Sequence, residues 1–75
     1  MSQGLDEATG MVLVTGVGAD PAVRRRLAEL GIRPGARIRV MHRSAGGGRV
    51  LAVDGARIAI DAHLAASIEA EPDHE

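Results

Sequence analysis

Apolar residues recur along this chain in two periods, and the switch between them marks out the elements. Residues 11–15, Met-Val-Leu-Val-Thr, form an unbroken run of β-favouring side chains, which suits a strand buried on both faces or covered on one by a helix. Gly16-Val17-Gly18-Ala19 breaks the run and reads as a flexible loop. Val23, Leu27 and Leu30 then recur at helical spacing and put one apolar stripe toward a core. Asp20 is placed to accept from the orphan N–H groups of that helix, and Pro21 fills its first position, where a missing donor costs nothing. Gly31 supplies the left-handed conformation that ends a helix, and Pro34 disfavours helical geometry at Arg33. Ile32, just past the glycine, is placed to cover Leu27 or Leu30. The stretch from Leu27 to Gly35 therefore predicts a helix end, a glycine stop, one extended apolar residue and a Pro-Gly turn that launches a strand. Leu27, Leu30, Gly31, Pro34 and Gly35 are its structural residues.

Beyond the turn the period falls to two. Ala36, Ile38, Val40 and His42 share one face of the next strand, and Arg37, Arg39, Met41 and Arg43 share the other. Residues 44–48, Ser-Ala-Gly-Gly-Gly, predict a mobile loop. Arg49 to Val53 leads into Asp54-Gly55, a strong hairpin signal of type I′ with Gly55 as its second turn residue. That turn sets Val53 against Ala56, Leu51 against Ile58 and Arg49 against Ile60. Leu51, Val53, Ala56, Ile58 and Ile60 are expected inside, and Val50, Ala52, Arg57 and Ala59 outside. One helical turn over residues 63–67 and a last strand over residues 68–70, ending before Pro72, complete the pattern. The expectation is a mainly β chain with one α-helix: a small, partly open β-barrel of about five short strands. It spans residues 11–71, after a flexible segment at 1–10 and before a disordered tail at 72–75.

Composition narrows the chemistry. A chain of 75 residues makes one domain that buries only roughly 60% of its unfolded surface, too little for a deep active site. It has no cysteine, so no disulfide or thiolate metal site holds it together, and no aromatic residue, so its core is Val, Leu, Ile, Met and Ala and it lacks a base-stacking platform. No apolar run approaches a membrane span, and the polar start with Asp6 and Glu7 is unlike a signal peptide, so a cytoplasmic location is expected.

The net charge of −1 hides an uneven layout: all nine cations are arginines between Arg24 and Arg57, and residues 20–60 carry +6 while both ends are acidic. Such a layout fits either a solvated surface covered by its own acidic termini or a basic face for an acidic protein or nucleic acid. Gly16-Val17-Gly18 lacks the third glycine of a dinucleotide loop and the Gly-Lys-Ser/Thr of a P-loop. Pro34-Gly35 forbids the second helix that a helix-turn-helix would need after Arg24-Arg25-Arg26. No Ser/His/Asp set or cysteine nucleophile is present, so no catalytic residues and no cofactor are assigned. His42, His63 and His74 share no ligand spacing, and no metal site is assigned; His74 with Asp73 and Glu75 forms only a weak tail chelator.

The segment Arg26-Leu27-Ala28-Glu29-Leu30-Gly31-Ile32-Arg33-Pro34-Gly35, with Ile38, Val40, Gly46-Gly47, Gly55, Ile58-Ala59-Ile60 and residues 65–68 behind it, resembles the FeoA family of bacterial ferrous iron transport accessory proteins, whose fold is an SH3-like barrel. The resemblance runs over residues 11–71. Two departures stand out. The family often has Pro-Leu-Gly-Gly-Pro where residues 44–48 lack both prolines, which predicts a looser loop. It often has Ala-Leu-Arg where this chain has Ala59-Ile60-Asp61, which puts an anion near the barrel rim.

The resemblance implies a non-enzymatic cytoplasmic accessory protein that binds, regulates or assembles FeoB, the membrane ferrous iron transporter, at its cytoplasmic GTPase region. Two partner surfaces are expected: the outer strand face of Arg37, Arg39, Met41, Val50, Ala52 and Arg57, and the loop with Gly46, Gly47 and Gly48. An exposed strand could also extend a partner's sheet. The alternatives are an SH3-like regulatory domain akin to the C-terminal domain of DtxR-type iron-dependent repressors and a small RNA-binding barrel. The first is disfavoured because no DNA-binding helices precede Met11, the second because aromatics are missing.

Overall fold

The computed structural model describes residues 3–5, 10–18 and 20–73. Its elements in chain order are β1 (Gln3–Gly4), β2 (Gly10–Val17), α1 (Pro21–Glu29), β3 (Arg37–Arg43), β4 (Arg49–Val53), β5 (Ala56–Ile60), α2 (Ala62–Ala66) and β6 (Ile68–Pro72), with a 3₁₀ turn at Ala45–Gly47. All strand pairs are antiparallel and form one sheet in the order β1-β6-β2-β3-β4-β5. The last strand slots between β1 and β2. Because β1 and β5 remain separate edges, the sheet does not close and the fold is a partly open, SH3-like barrel.

The corner after α1 has the expected chemistry. Asp20 caps the helix by accepting from the Ala22 N–H at 2.9 Å. At the other end Gly31, at φ +88°, donates to the Ala28 carbonyl at 3.0 Å, and Ile32 donates to the Leu27 carbonyl at 2.9 Å. These are the two bonds of a Schellman cap, and both apolar partners of that motif, Leu27 and Ile32, are fully buried. The Ala36 N–H then closes on the Arg33 carbonyl at 2.9 Å, with Gly35 at φ +91°, a type II turn with Pro34 in its favoured place. Gly35 donates to the Val14 carbonyl and Val14 donates to the Ala36 carbonyl, each at 2.8 Å. Helix end and turn are thus fastened to β2, and the chain continues as a strand rather than a second helix.

The β4–β5 register is the expected one, from Val53 against Ala56 to Arg49 against Ile60, with Asp54 at φ 49° and Gly55 at φ +83° in the turn. Leu51, Val53 and Ile60 are buried and Ile58 is half-buried; Ala56, at the hairpin tip, is exposed and not inside. The core they join is wholly aliphatic, with Val12, Val14, Leu27, Ile32, Ile38, Val40 and Ile68 contributing from the other elements.

Several expectations are corrected. A register shift between Val40 and His42 marks a β-bulge at Met41, so His42 pairs with Val50 on the solvent side instead of following Val40 inward. A second shift between Val14 and Gly16 lets β2 run on through Gly16 and Val17, opposite Glu69 and Ile68, where a loop was expected. Gln3 and Gly4 pair with Ala70 and Glu69, and Leu5 is fully buried, so the first residues are not uniformly loose. At the other end β6 extends to Pro72, and Asp73 donates to the Met11 carbonyl at 3.1 Å, so the sheet continues beyond Ala70. His74 and Glu75, part of the weak chelator, lie outside the described residues.

Candidate interaction surface

The strand registers determine which side chains share the solvent face. Met11 pairs with Arg39, Arg39 with Ala52, and Ala52 with Arg57, so these four residues form one row across β2, β3, β4 and β5. Beside it, Arg37 pairs with Leu13 and Leu13 with Glu71, while His42, Val50 and Ala59 form the row on the other side. Arg39 and Arg57 are exposed, with the small Ala52 between them. Among the described residues Met11 and Met41 are the exposed large apolar side chains, 37% and 36% accessible, and they belong to the adjacent strands β2 and β3. The expected residues Arg37, Arg39, Val50, Ala52 and Arg57 are thus brought onto one face, with Met41 at the bulge in β3.

Met11 was missed from the sequence because residues 11–15 resemble a doubly buried run. The signal was available: Met11 and Leu13 alternate with Val12 and Val14, and only the second pair is buried. Arg37 differs from its neighbours because its Nε lies 3.2 Å from the Asp73 carboxylate. The acidic end of the chain thus crosses one corner of the basic face and leaves the Arg39–Ala52–Arg57 row uncovered by any described carboxylate.

The three loop glycines divide. Gly46 and Gly47 are exposed at φ +77° and +85°, as required by a turn of this tightness. Gly48 is buried, and a Cβ there would lie 2.5 Å from the Ile60 carbonyl oxygen, so it packs the loop against β5 and offers no surface. Arg49 holds the loop. It is only 4% exposed, and its Nη1 donates to the carbonyls of Gly47 at 2.8 Å and Gly48 at 3.0 Å. Its register opposite the inward Ile60 was the sequence sign that this arginine points inward. Ser44 donates to the Gly48 carbonyl at 3.0 Å and closes the loop.

Asp61, the anion near the rim, has a local role: its carboxylate accepts from the Leu64 N–H at 2.8 Å and caps α2. His42 and His63 are both exposed, and His42 Nδ1 lies 3.2 Å from the Arg43 carbonyl oxygen. Among the described residues no three His, Asp or Glu side chains gather as a metal-binding group. No helix among them is long and apolar enough to cross a membrane.

Comparison with known proteins agrees with the fold. A crystal structure of an iron uptake regulatory protein (FeoA) superposes with a TM-score of 0.83 at 29% identity, covering 95% of this chain and 96% of that one. The solution structure of FeoA from Chlorobium tepidum gives 0.79 at 31% identity, covering 91% of this chain and 68% of that one. A manganese-dependent transcriptional repressor in complex with manganese shares the fold at a TM-score of 0.83 and 28% identity; the match covers 93% of this chain and 36% of the repressor. No match was found among curated proteins. The FeoA domain profile matches residues 7–72, nearly the whole described sheet together with α1, and the chain accordingly belongs to the FeoA family.

Proposed function

We propose that this chain is a non-enzymatic, cytoplasmic accessory protein of ferrous iron uptake that docks on the cytoplasmic GTPase region of a FeoB-type transporter. The observation that carries this reading is the Met11–Arg39–Ala52–Arg57 row, an open cationic strip with an apolar side chain at one end on a rigid sheet. Charge complementarity around a small apolar centre sets orientation and association rate more than affinity, which suits a reversible regulator. The exposed turn at Gly46 and Gly47 would border the contact.

A titration of the isotope-labelled chain with the transporter's cytoplasmic portion, with and without a GTP analogue, tests it. Amide shifts should centre on β3, β4 and β5. Arg39→Glu with Arg57→Glu should weaken binding about tenfold, equivalent to roughly 1.4 kcal/mol, and added salt should act in the same direction. Shift changes confined to neither the strand face nor the glycine turn would reject the assignment. The likeness to a manganese-dependent repressor supports a second reading, a regulatory domain of a metal-responsive repressor, but the match to the FeoA domain profile favours the first.

A further inference from the structure

A second basic surface lies away from the sheet face. One side of α1 and the turn at Pro34 border a shallow, open groove of about 320 Å³. Pro21, Ala28 and Pro34 supply apolar walls, and Arg24, Arg25 and Arg33 line it with no acidic residue. The ion pair of Arg37 with Asp73 is the only one among the described residues, so none of these three arginines is held in an ion pair by a described carboxylate, and Glu29, which lines the adjoining surface with Arg25 and Arg26, lies outside the groove. Both walls are fixed, α1 by its Asp20 cap and Schellman end, the turn by its bonds to Val14. A cationic cleft between rigid walls is pre-organised for an anionic guest, and guanidinium groups favour planar carboxylates.

We propose that this groove docks an acidic peptide segment carrying one apolar side chain, a contact separate from the sheet-face docking described above. The size of the site sets the length. A helix of nine residues is roughly 14 Å long, which matches about four extended residues. An apolar side chain seated between Pro21 and Pro34 leaves the flanking carboxylates against Arg24 and Arg25 on one side and Arg33 on the other. Nucleic acid fits less well, because the chain has no aromatic residue to stack a base and its net charge is −1.

The test is a titration of the labelled full chain with a short peptide of alternating Asp, Glu and Leu, its Asn/Gln isostere, and a short single-stranded oligodeoxyadenylate. The acidic peptide should shift amides of α1 and residues 31–34, the isostere should not, and Arg25→Glu with Arg33→Glu should weaken binding at least tenfold. Both side chains are exposed, so the fold should hold; Arg25→Ala with Arg33→Ala is the milder pair should the reversal disturb it. Shifts confined to β3–β5, binding indifferent to both double variants, or equal binding of the isostere or the oligonucleotide in the groove would overturn the proposal.

Discussion

Gly46 and Gly48 sit two positions apart in one turn and are glycine for different reasons. Gly46 has φ +77° with nothing within 4 Å of a built Cβ, so only its backbone conformation excludes a side chain. Gly48 has an ordinary φ of −73°, but its Cβ would strike the Ile60 carbonyl and the Ser44 hydroxyl. Gly46→Ala should therefore cost about 1–2 kcal/mol through strain at positive φ. Gly48→Ala should cost about 1–3 kcal/mol through overpacking and should also shift the Ile60 and Ser44 resonances, which Gly46→Ala leaves in place. Urea denaturation of both variants checks the costs. Arg49 completes the local account, since it spends a buried guanidinium on two loop carbonyls. Arg49→Met keeps the stem but leaves the Gly47 carbonyl without its donor and the Gly48 carbonyl with the Ser44 N–H alone, and is expected to lose on the order of 1–3 kcal/mol and to speed amide exchange in residues 46–48.

Among the elements, the two helices depend on their ends more than on their own length. The five residues of α2 are too few to be stable alone, so Asp61 accepting from Leu64 is a large share of its local support. Asp61→Ala should destabilise the protein by about 1 kcal/mol and Asp61→Asn by less, read from the thermal midpoint. At the end of α1 a Cβ on Gly31 would meet Val53 Cγ1 at 3.0 Å and the Asp54 carboxylate at 3.2 Å, in addition to its positive φ. The glycine is thus both a helix stop and the point where the corner touches the hairpin. Gly31→Ala should cost at least the 1–2 kcal/mol of the left-handed conformation, with shifts reaching Val53 and Asp54.

For the molecule as a whole, one edge of the open sheet is built by the two chain ends. β6 joins β1 to β2, and Leu5 follows β1 into the core at 0% exposure. Leu5→Ala should remove about 2–5 kcal/mol, a large part of the 5–15 kcal/mol typical of a whole domain, and a denaturation curve would show it as a midpoint shift. The Arg37–Asp73 pair should matter much less. The Arg37 side chain is 68% exposed and the Asp73 side chain 14%, so solvent screens the pair from the arginine side and it contributes about 1 kcal/mol or less; Asp73→Asn should cost no more than that while uncovering Arg37 on the docking face.

The local chemistry was legible in the residues themselves. Asp20, Pro21, Gly31, Pro34, Gly35 and the Asp54-Gly55 turn each act through backbone preferences over a few neighbours, so their residue types determine caps, turns and the β4–β5 register without reference to the rest of the chain. Alternation also placed Arg37, Arg39, Ala52 and Arg57 on one face. Other features depend on partners distant in sequence. The bulges at Met41 and Thr15 arise only when strands are laid against each other, and one of them turns His42 outward. The burial of Leu5 depends on β6 arriving to pair with β1, and the burial of Gly48 on the approach of Ile60. The groove beside α1 exists because β2 holds the Pro34 turn at a fixed distance from the helix. Short-range conformational preference settled the first group, and long-range pairing and packing settled the second.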